Sequence, residues 1–386
     1  MSDMYEKVRQ MAVYLDCAAT TPVDRRVQSE VLTYLEHEFG NAGSRTHAYG
    51  DRARSAVETA RNQVAALAAV SRSEIIFTSG ATESNNLALL GLAEYGRREG
   101  KMHLVSTQIE HSAVLEPLQA LAQQGFTLTL VPPTHGGYVE AESIREAVQD
   151  DTLLVSVMQI NNETGIRQPI EEIAKILAPH PAYFHVDAAQ GFGKENAPLQ
   201  QERIDLISLS GHKLYAPKGI GALIARRRNR QRPPLTPLMF GGGQELGLRP
   251  GTLPVPLIVG LGKAAELAQS EATARTNSCL CYRMRLLEVL RPLNPVIHGD
   301  PQRSVSHIVN LSFPGIESEE AIQSVREIVA ISNGAACTSQ SRVCSHVLSA
   351  MRLSAEQITG ALRFSWCHTT PEPDWEQLVA AFEQAR

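Results

Sequence analysis

The sequence predicts an α/β protein: a mostly parallel, seven-stranded sheet with helices on both faces, followed by a smaller α/β unit. Three observations carry this expectation. Short β-rich apolar runs alternate with amphipathic helical patterns over the first two thirds of the chain, the pattern of repeated strand–helix–strand units. The chain has 386 residues, and at roughly 150 residues per domain that length suits two domains or one large α/β unit. Hydrophobic residues make up 43% and charged residues 20%, which supplies a full core and excludes a disordered chain.

The seven candidate strands are residues 75–78, 103–106, 127–131, 153–158, 183–186, 206–208 and 222–225. Between them, 112–122 and 170–177 read as amphipathic helices. A Gly/Pro-rich stretch from Pro233 to Pro256 ends the alternation, and a helical run begins near Leu257. A strand at 307–313 with helices around it makes the smaller unit. The basic run 226–232 holds five arginines but lies between a strand and Pro233-Pro234, so it reads as a solvated surface turn rather than a binding patch.

Charge and composition exclude several classes. Lys and Arg total 36 against 41 Asp and Glu, a net charge of −5, whereas a dedicated nucleic-acid binder is strongly basic. Direct nucleic-acid binding is therefore not expected. No run reaches the roughly 18 apolar residues of a membrane helix. The start, MSDMYEKVRQMAVYLD, has no signal-peptide apolar region, so a cytoplasmic location is expected. The six cysteines fall at 17, 279, 281, 337, 344 and 367 without a CxxC pair, which suggests free thiols and no metal site. Cys279 and Cys281 sit in a helical pattern, where i and i+2 point to different faces.

Three segments carry chemistry. In Phe77-Thr78-Ser79-Gly80-Ala81-Thr82-Glu83-Ser84-Asn85-Asn86 a short strand runs through Ser-Gly into a helix rich in small polar residues. Such a helix N-terminus binds phosphate, although Ser and Thr also cap helices with no ligand. In His185-Val186-Asp187-Ala188-Ala189-Gln190 a carboxylate stands at the carboxyl edge of a strand, where α/β folds place ligands. In Ser208-Leu209-Ser210-Gly211-His212-Lys213 a strand ends in small residues and one lysine, a residue able to form a Schiff base. Phosphate cradle, Asp and Lys in that order are what pyridoxal 5'-phosphate requires.

With these residues in view, the chain resembles the cysteine desulfurases, in the class V branch of the fold-type-I pyridoxal-phosphate transferases. The matching stretches are Leu15-Asp16 with 18–24, then 78–86, Glu110-His111, 161–165, 186–190 and 210–213. They continue with 241–243, Arg249 with 251–254, 336–339 and 363–365. The resemblance implies a large cofactor-binding domain over 17–268 and a small domain made of 1–16 and 269–386. It implies that Lys213 holds the cofactor covalently and moves protons at the substrate Cα, and that Asp187 partners the pyridine nitrogen. Ala81, Thr82, Ser210 and His212 match phosphate ligands, and Thr252 matches a threonine lent to the phosphate of a neighbouring subunit in a homodimer. Gln190 matches the partner of the phenolic oxygen, Asn162 a contact to ring or substrate, and His111 the histidine stacked on the cofactor and serving acid–base steps. Arg363 matches the clamp on the carboxylate of L-cysteine, a task suited to a planar fork.

The resemblance also implies a nucleophile, Cys337. It lies in Ile331-Ser332-Asn333-Gly334-Ala335-Ala336-Cys337-Thr338-Ser339-Gln340-Ser341, a small, polar run that reads as a loop. By pattern alone it is either a reactive thiol or an exposed bystander; the resemblance gives it the persulfide-forming position, from which sulfur passes to an acceptor protein. Cys344, seven residues on, and Cys17, inside the Leu-Asp-x-x-Ala-Thr-Thr motif, read as a bystander and a small core-edge residue. The segment Gly40-Asn41-Ala42-Gly43-Ser44-Arg45-Thr46-His47 departs from the form common in iron–sulfur members, and the chain ends soon after one helical stretch. Both features are similar to desulfurases associated with DNA phosphorothioation; iron–sulfur assembly and tRNA thiolation are the other destinations. A selenocysteine lyase or an aminotransferase would share Lys213 and Asp187 without needing Cys337, and a non-catalytic sulfur carrier or scaffold would need neither cofactor nor lysine.

Overall fold

The computed structural model describes residues 12–333 and 344–385. After β1 (Val13–Tyr14) come β2 (Ile75–Thr78), β3 (His103–Thr107), β4 (Thr127–Val131), β5 (Thr152–Met158), β6 (Tyr183–Asp187), β7 (Leu206–Ser210) and β8 (Gly221–Ala225). The last seven form one sheet in the order β2-β8-β7-β6-β5-β3-β4. These are the seven expected strands, with ends displaced by a residue or two. β3 to β7 are mutually parallel where they pair, and β8 runs antiparallel to both β2 and β7. Its direction follows from the connection: the segment from Ser210 to Gly221 is too short for a crossover helix, so the chain turns back.

Alternation along the strands builds a core on each face of the sheet. In β8, Ala222 and Ile224 face one core with Ile207 and Leu209 of β7, while Leu223 and Ala225 face the other with Leu206. Helices Ala48–Leu67 and Val255–Ser270 cover the first face and Ala81–Leu90 and Ser112–Gln123 the second. The helical run expected near Leu257 begins at Val255, with Pro256 in its first turn, where a missing N–H costs nothing. Because β5, β6 and β7 are parallel, their carboxyl ends open on the same edge.

A separate core forms from the chain ends. β10 (Ile308–Ser312) lies between β9 (Val296–Ile297) and β12 (Leu362–Ser365), antiparallel to both, and β11 (Val329–Ala330) pairs in parallel with β1. Leu15 packs here with Leu286, Leu311, Phe364, Trp366 and Phe382. Asp16 bridges Ser365, so the segment following β1 runs beside β12. The expected strand at 307–313 is β10.

One expectation needs correction. The arginine run is not uniformly solvated. Arg226 is buried and donates to the carbonyls of Ala68 and Leu199, and Arg228 pairs with the buried Asp205. Of the five arginines, Arg227 and Arg230 keep the expected exposure, and Arg228 and Arg232 are half-buried. A buried guanidinium is tolerated because carbonyls and a carboxylate replace its water. Cys279 is buried and Cys281 exposed, as the helical spacing requires. Among the described residues, no helix is long and apolar enough to cross a membrane, and no cluster of His, Cys, Asp and Glu has metal-ligating geometry.

Candidate active site

The carboxyl edge of the sheet holds a cavity of about 580 Å³. Ten of the residues singled out from the sequence line it: Ala81, Thr82, His111, Asn162, Asp187, Gln190, Ser210, His212, Lys213 and Arg363. Thr252 is exposed and does not line it. Cys337 lies outside the described residues.

Each wall has a local cause. β2 ends at Thr78, and Gly80 caps the helix Ala81–Leu90, so backbone N–H groups of the first turn face the cavity. Ser79 N–H and Arg249 both donate to Glu83, at 2.7 and 2.9 Å, which fixes this turn from behind. Gly221 of β8 presses against it: a Cβ there would lie 2.5 Å from Leu209 O and 2.6 Å from Gly80 Cα. Only a residue without a side chain permits that approach.

Asp187 ends β6 and is buried. Its Oδ2 accepts from Asn85 Nδ2 at 2.8 Å and its Oδ1 from Ala189 N–H at 2.9 Å. Lys213 stands at the end of the turn Gly211–Lys213 that follows β7. His212 Nδ1 lies 3.1 Å from Thr20 Oγ1, and burial with the nearby lysine charges pushes this imidazole down to about 4, so it is neutral. His111 caps helix Ser112–Gln123, its Nδ1 accepting from Ala113 N–H at 3.1 Å. That bond leaves the proton of the neutral ring on Nε2. Burial holds His111 below the usual histidine value, with Asp187 opposing and Lys213 assisting.

Arg363 reaches the cavity from β12. It is buried; Nη2 donates to Asp16 Oδ1 at 2.7 Å and Nη1 to the Asn162 carbonyl at 2.9 Å. The Nε–H has no partner among the described residues. Charge neutralisation by Asp16 leaves Nε–H and one further proton on each Nη for a carboxylate. The Asn162 carbonyl is presented by a turn in which Asn161 Oδ1 accepts from the N–H groups of Glu163 and Thr164, both at 2.9 Å.

Several residues went unassigned in the sequence. Asn85 and Asp16 lie inside motifs that were quoted, but nothing in a linear motif says which member turns toward a carboxylate or a guanidinium. Glu110 is fully enclosed: Oε1 accepts from Thr107 Oγ1 at 2.8 Å and Met158 N–H at 2.9 Å, while Oε2 has no partner among the described residues. Burial pushes its carboxyl up to about 8. No sequence signal separates such an acid from a surface one.

The aminotransferase class-V family profile matches residues 13–378. The chain belongs to the class-V aminotransferase family. Within it, the chain is 44% identical over 369 residues to a cysteine desulfurase of Rattus norvegicus, covering 95% of this chain and 81% of that one. It is 44% identical over 371 residues to the cysteine desulfurase IscS of Rickettsia massiliae (strain Mtu5), covering 96% and 90%. The crystal structure of DndA from Streptomyces lividans superposes with a TM-score of 0.80 at 48% identity, covering 92% and 99%. SspA in complex with cysteine gives 0.82 at 38% identity, covering 92% and 98%. The class-V fold, the pyridoxal-phosphate cofactor and the cysteine desulfurase activity are thereby those of this chain.

The cavity suits that cofactor. It is lined by two lysine amines, the half-buried Lys213 and the exposed Lys218, by the buried carboxylate of Asp187, and by a helix N-terminus for a phosphate. Two of its buried oxygens, Asn85 Oδ1 and Gln190 Oε1, have no partner among the described residues, and buried polar atoms in native proteins are paired. A bound polar molecule would satisfy them.

Proposed function

We propose that this class-V enzyme takes sulfur from L-cysteine with Lys213, Asp187, Arg363 and Cys337 as its principal groups. The observation that carries the assignment is that the first three line one cavity although they are far apart in sequence. Arg363 holds the substrate carboxylate through its remaining N–H groups, and Asp16 keeps the guanidinium oriented. Asp187, tied by Asn85 and Ala189, presents a carboxylate to a pyridinium nitrogen. Ala81, Thr82, Ser210 and His212 receive the phosphate, joined by Thr252 from a second copy of the chain. Gln190 and Asn162 contact the ring and its phenolic oxygen. The cofactor, when bound, supplies an electron sink for the substrate Cα. Lys213 holds the cofactor and moves a proton at Cα, and His111, with its proton on Nε2, serves the acid–base steps. The Cys337 thiolate then attacks the substrate sulfur: the S–S bond forms as the Cβ–S bond breaks, the bond's electron pair stays with the substrate carbon, which takes up a proton to give alanine, and the sulfur remains on Cys337 as a persulfide.

The same reading includes a cytoplasmic homodimer with the active site completed across a two-fold axis, and persulfide transfer to an acceptor protein. The Gly40–His47 segment favours an acceptor serving DNA phosphorothioation over iron–sulfur assembly or tRNA thiolation. The domain division at 17–268, with 1–16 and 269–386 apart, is supported by the packing of Leu15 among residues of the C-terminal core.

Cys337→Ser tests the central assignment. Cofactor binding should persist, cysteine should still shift the spectrum, and alanine release per active site should collapse, since a serine hydroxyl is a poor nucleophile at neutral pH. Mass spectrometry should map an added sulfur to the Cys337 peptide in the parent protein. Continued turnover by the variant, as an aminotransferase would show, or an adduct on Cys344 alone, refutes it.

A further inference from the structure

A second, small cavity of about 20 Å³ lies where the sheet core meets the C-terminal core, and it shares no lining residue with the active-site cavity. The chain reaches it from both sides. Lys194 and Glu195 border it from the segment after Gln190, and Tyr215 from just beyond Lys213. Arg275 and Cys279 border it from helix Ala272–Leu290, and His307 from the position before β10. That volume accommodates one particle near the size of a water molecule and no polyatomic oxyanion such as sulfate.

Two side chains in its wall are buried and each is short of one hydrogen bond. His307 is 6% exposed, and its Nε2 has no partner among the described residues. Arg275 is 8% exposed. Its Nε and Nη2 donate to Glu271, at 3.0 and 2.8 Å, while Nη1 has no partner among the described residues. Buried polar atoms in native proteins are paired, so two orphans at one cavity call for an occupant.

The charge around the cavity selects that occupant. Burial, with Lys194, Arg167 and Arg283 nearby, keeps the His307 ring neutral. The carboxylates at hand are already engaged. Glu195 pairs with Arg167 at 2.6 Å, and Arg26 and Arg275 share Glu271 and Asp24. Arg283 donates to the Val305 and Ile308 carbonyls, at 3.0 and 2.7 Å, and among the described residues neither it nor Lys194 has a carboxylate partner. Five cations thus share three carboxylates. Burial pushes the Lys194 amine down to about 8, the response of an enclosed ammonium short of a counter-ion. Lys194, Arg275 Nη1 and, with its proton on Nε2, the His307 ring are three donors at one small space. A water would leave the excess positive charge in place. A small anion accepts from all three donors and cancels part of that excess, and buried charges in proteins are paired.

We propose that this cavity binds one monovalent anion of halide size, such as chloride, held by Lys194, Arg275 and His307. The ion joins the segments after Gln190 and Lys213 to helix Ala272–Leu290 and β10, so its first effect is on stability. A ligand that binds only the folded state stabilises it in proportion to the logarithm of its concentration above Kd.

The test uses the full-length, cofactor-loaded protein at fixed pH and ionic strength, with sodium gluconate replaced stepwise by sodium chloride or sodium bromide. Constant ionic strength holds charge screening fixed, and gluconate is too large for the cavity. Lys194→Met removes the charge and keeps the length of the side chain. The melting temperature of the parent should rise saturably relative to this variant, by roughly 2 °C at a tenfold excess of halide over its Kd. In gluconate the variant should melt no lower than the parent, because a buried charge without its partner is costly. A crystal transferred to bromide, at the concentration that saturates the melting shift, should give an anomalous peak between Lys194, Arg275 and His307. A water without anomalous signal at that place, a melting temperature indifferent to the exchange, or an equal halide response in parent and variant overturns the proposal. Should Lys194→Met fail to fold, the bromide peak decides alone.

Discussion

Arg363 is held from two sides before substrate arrives, by Asp16 and by the Asn162 carbonyl, and this sets what its replacement should do. Arg363→Lys keeps the charge but not the planar fork. A charge-assisted hydrogen-bonded pair is worth about 1.5–3 kcal/mol, so the KM for cysteine should rise roughly ten- to hundredfold; an unchanged KM with unchanged kcat removes Arg363 from the site. Glu110 makes a second prediction, about pH. Its folded value is raised from 4.5 to about 8, so the folded state holds a proton that the unfolded state gives up. Stability from this group is complete below 4.5 and is lost progressively as pH rises to 8, after which the loss is constant. Glu110→Gln keeps the acceptor for Thr107 and Met158 without the titration. Denaturation midpoints at pH 5 and pH 8 should therefore move the variant's stability upward relative to the parent by up to a few kcal/mol, at about 1.4 kcal/mol per pKa unit. A gap that does not change with pH refutes this. Lys213, Asp187 and Arg363 line one cavity; the first two were singled out in sequence because each stands at the end of a strand in a segment with a chemical reading, whereas Arg363 was reached only through the family resemblance. Glu110 and Asn85 were seen only as members of motifs, because burial and orientation come from strands distant in the chain.

At the scale of elements, the sheet was legible because fully buried strands leave near-continuous apolar runs, and β5 to β8 all do. The direction of β8 was not, since an apolar run reads the same both ways and only the length of the connection to β7 decides it. The short strands β1, β9, β11 and β12 were missed for a related reason: two-residue pairings, or a four-residue strand whose ladder partner lies some fifty residues away, have no local period. β8 also has a task beyond completing the sheet. Through Gly221 it backs the turn that begins helix Ala81–Leu90, so Gly221→Ala forces either β7 or the phosphate turn to move. Overpacking of this kind costs about 1–3 kcal/mol. The variant should melt at lower temperature and release the phosphorylated cofactor faster on dilution. Normal retention at normal stability would show that the turn relaxes freely.

At the scale of the molecule, one stretch of surface is unusual for a chain that works alone. Leu238, Met239, Phe240 and Leu246 are exposed, Phe240 at 90%, close in sequence to the exposed Thr252. Contiguous exposed apolar residues mark interfaces, and an isologous dimer would bury two copies of this stretch. Phe240→Asp should shift the mass measured by light scattering toward the monomer and loosen cofactor retention together; a monomeric parent protein with full activity excludes the arrangement. A last consequence comes from where the clamp lies along the chain. The Arg363–Asp16 pair and the bond from Ala18 N–H to Ser365 Oγ each span 347 residues. At roughly 5–20 residues per second during synthesis, the N-terminal segment leaves the ribosome about 20–70 s before its partners exist. The large sheet, with Asp187 and Lys213, has all its strands by then, but β1 and Leu15 must wait beside it without a core. On the roles proposed for these residues, a chain released before β12 is made would carry Asp187 and Lys213 without Arg363, so the segment bearing β12 decides whether the nascent protein can bind its amino acid.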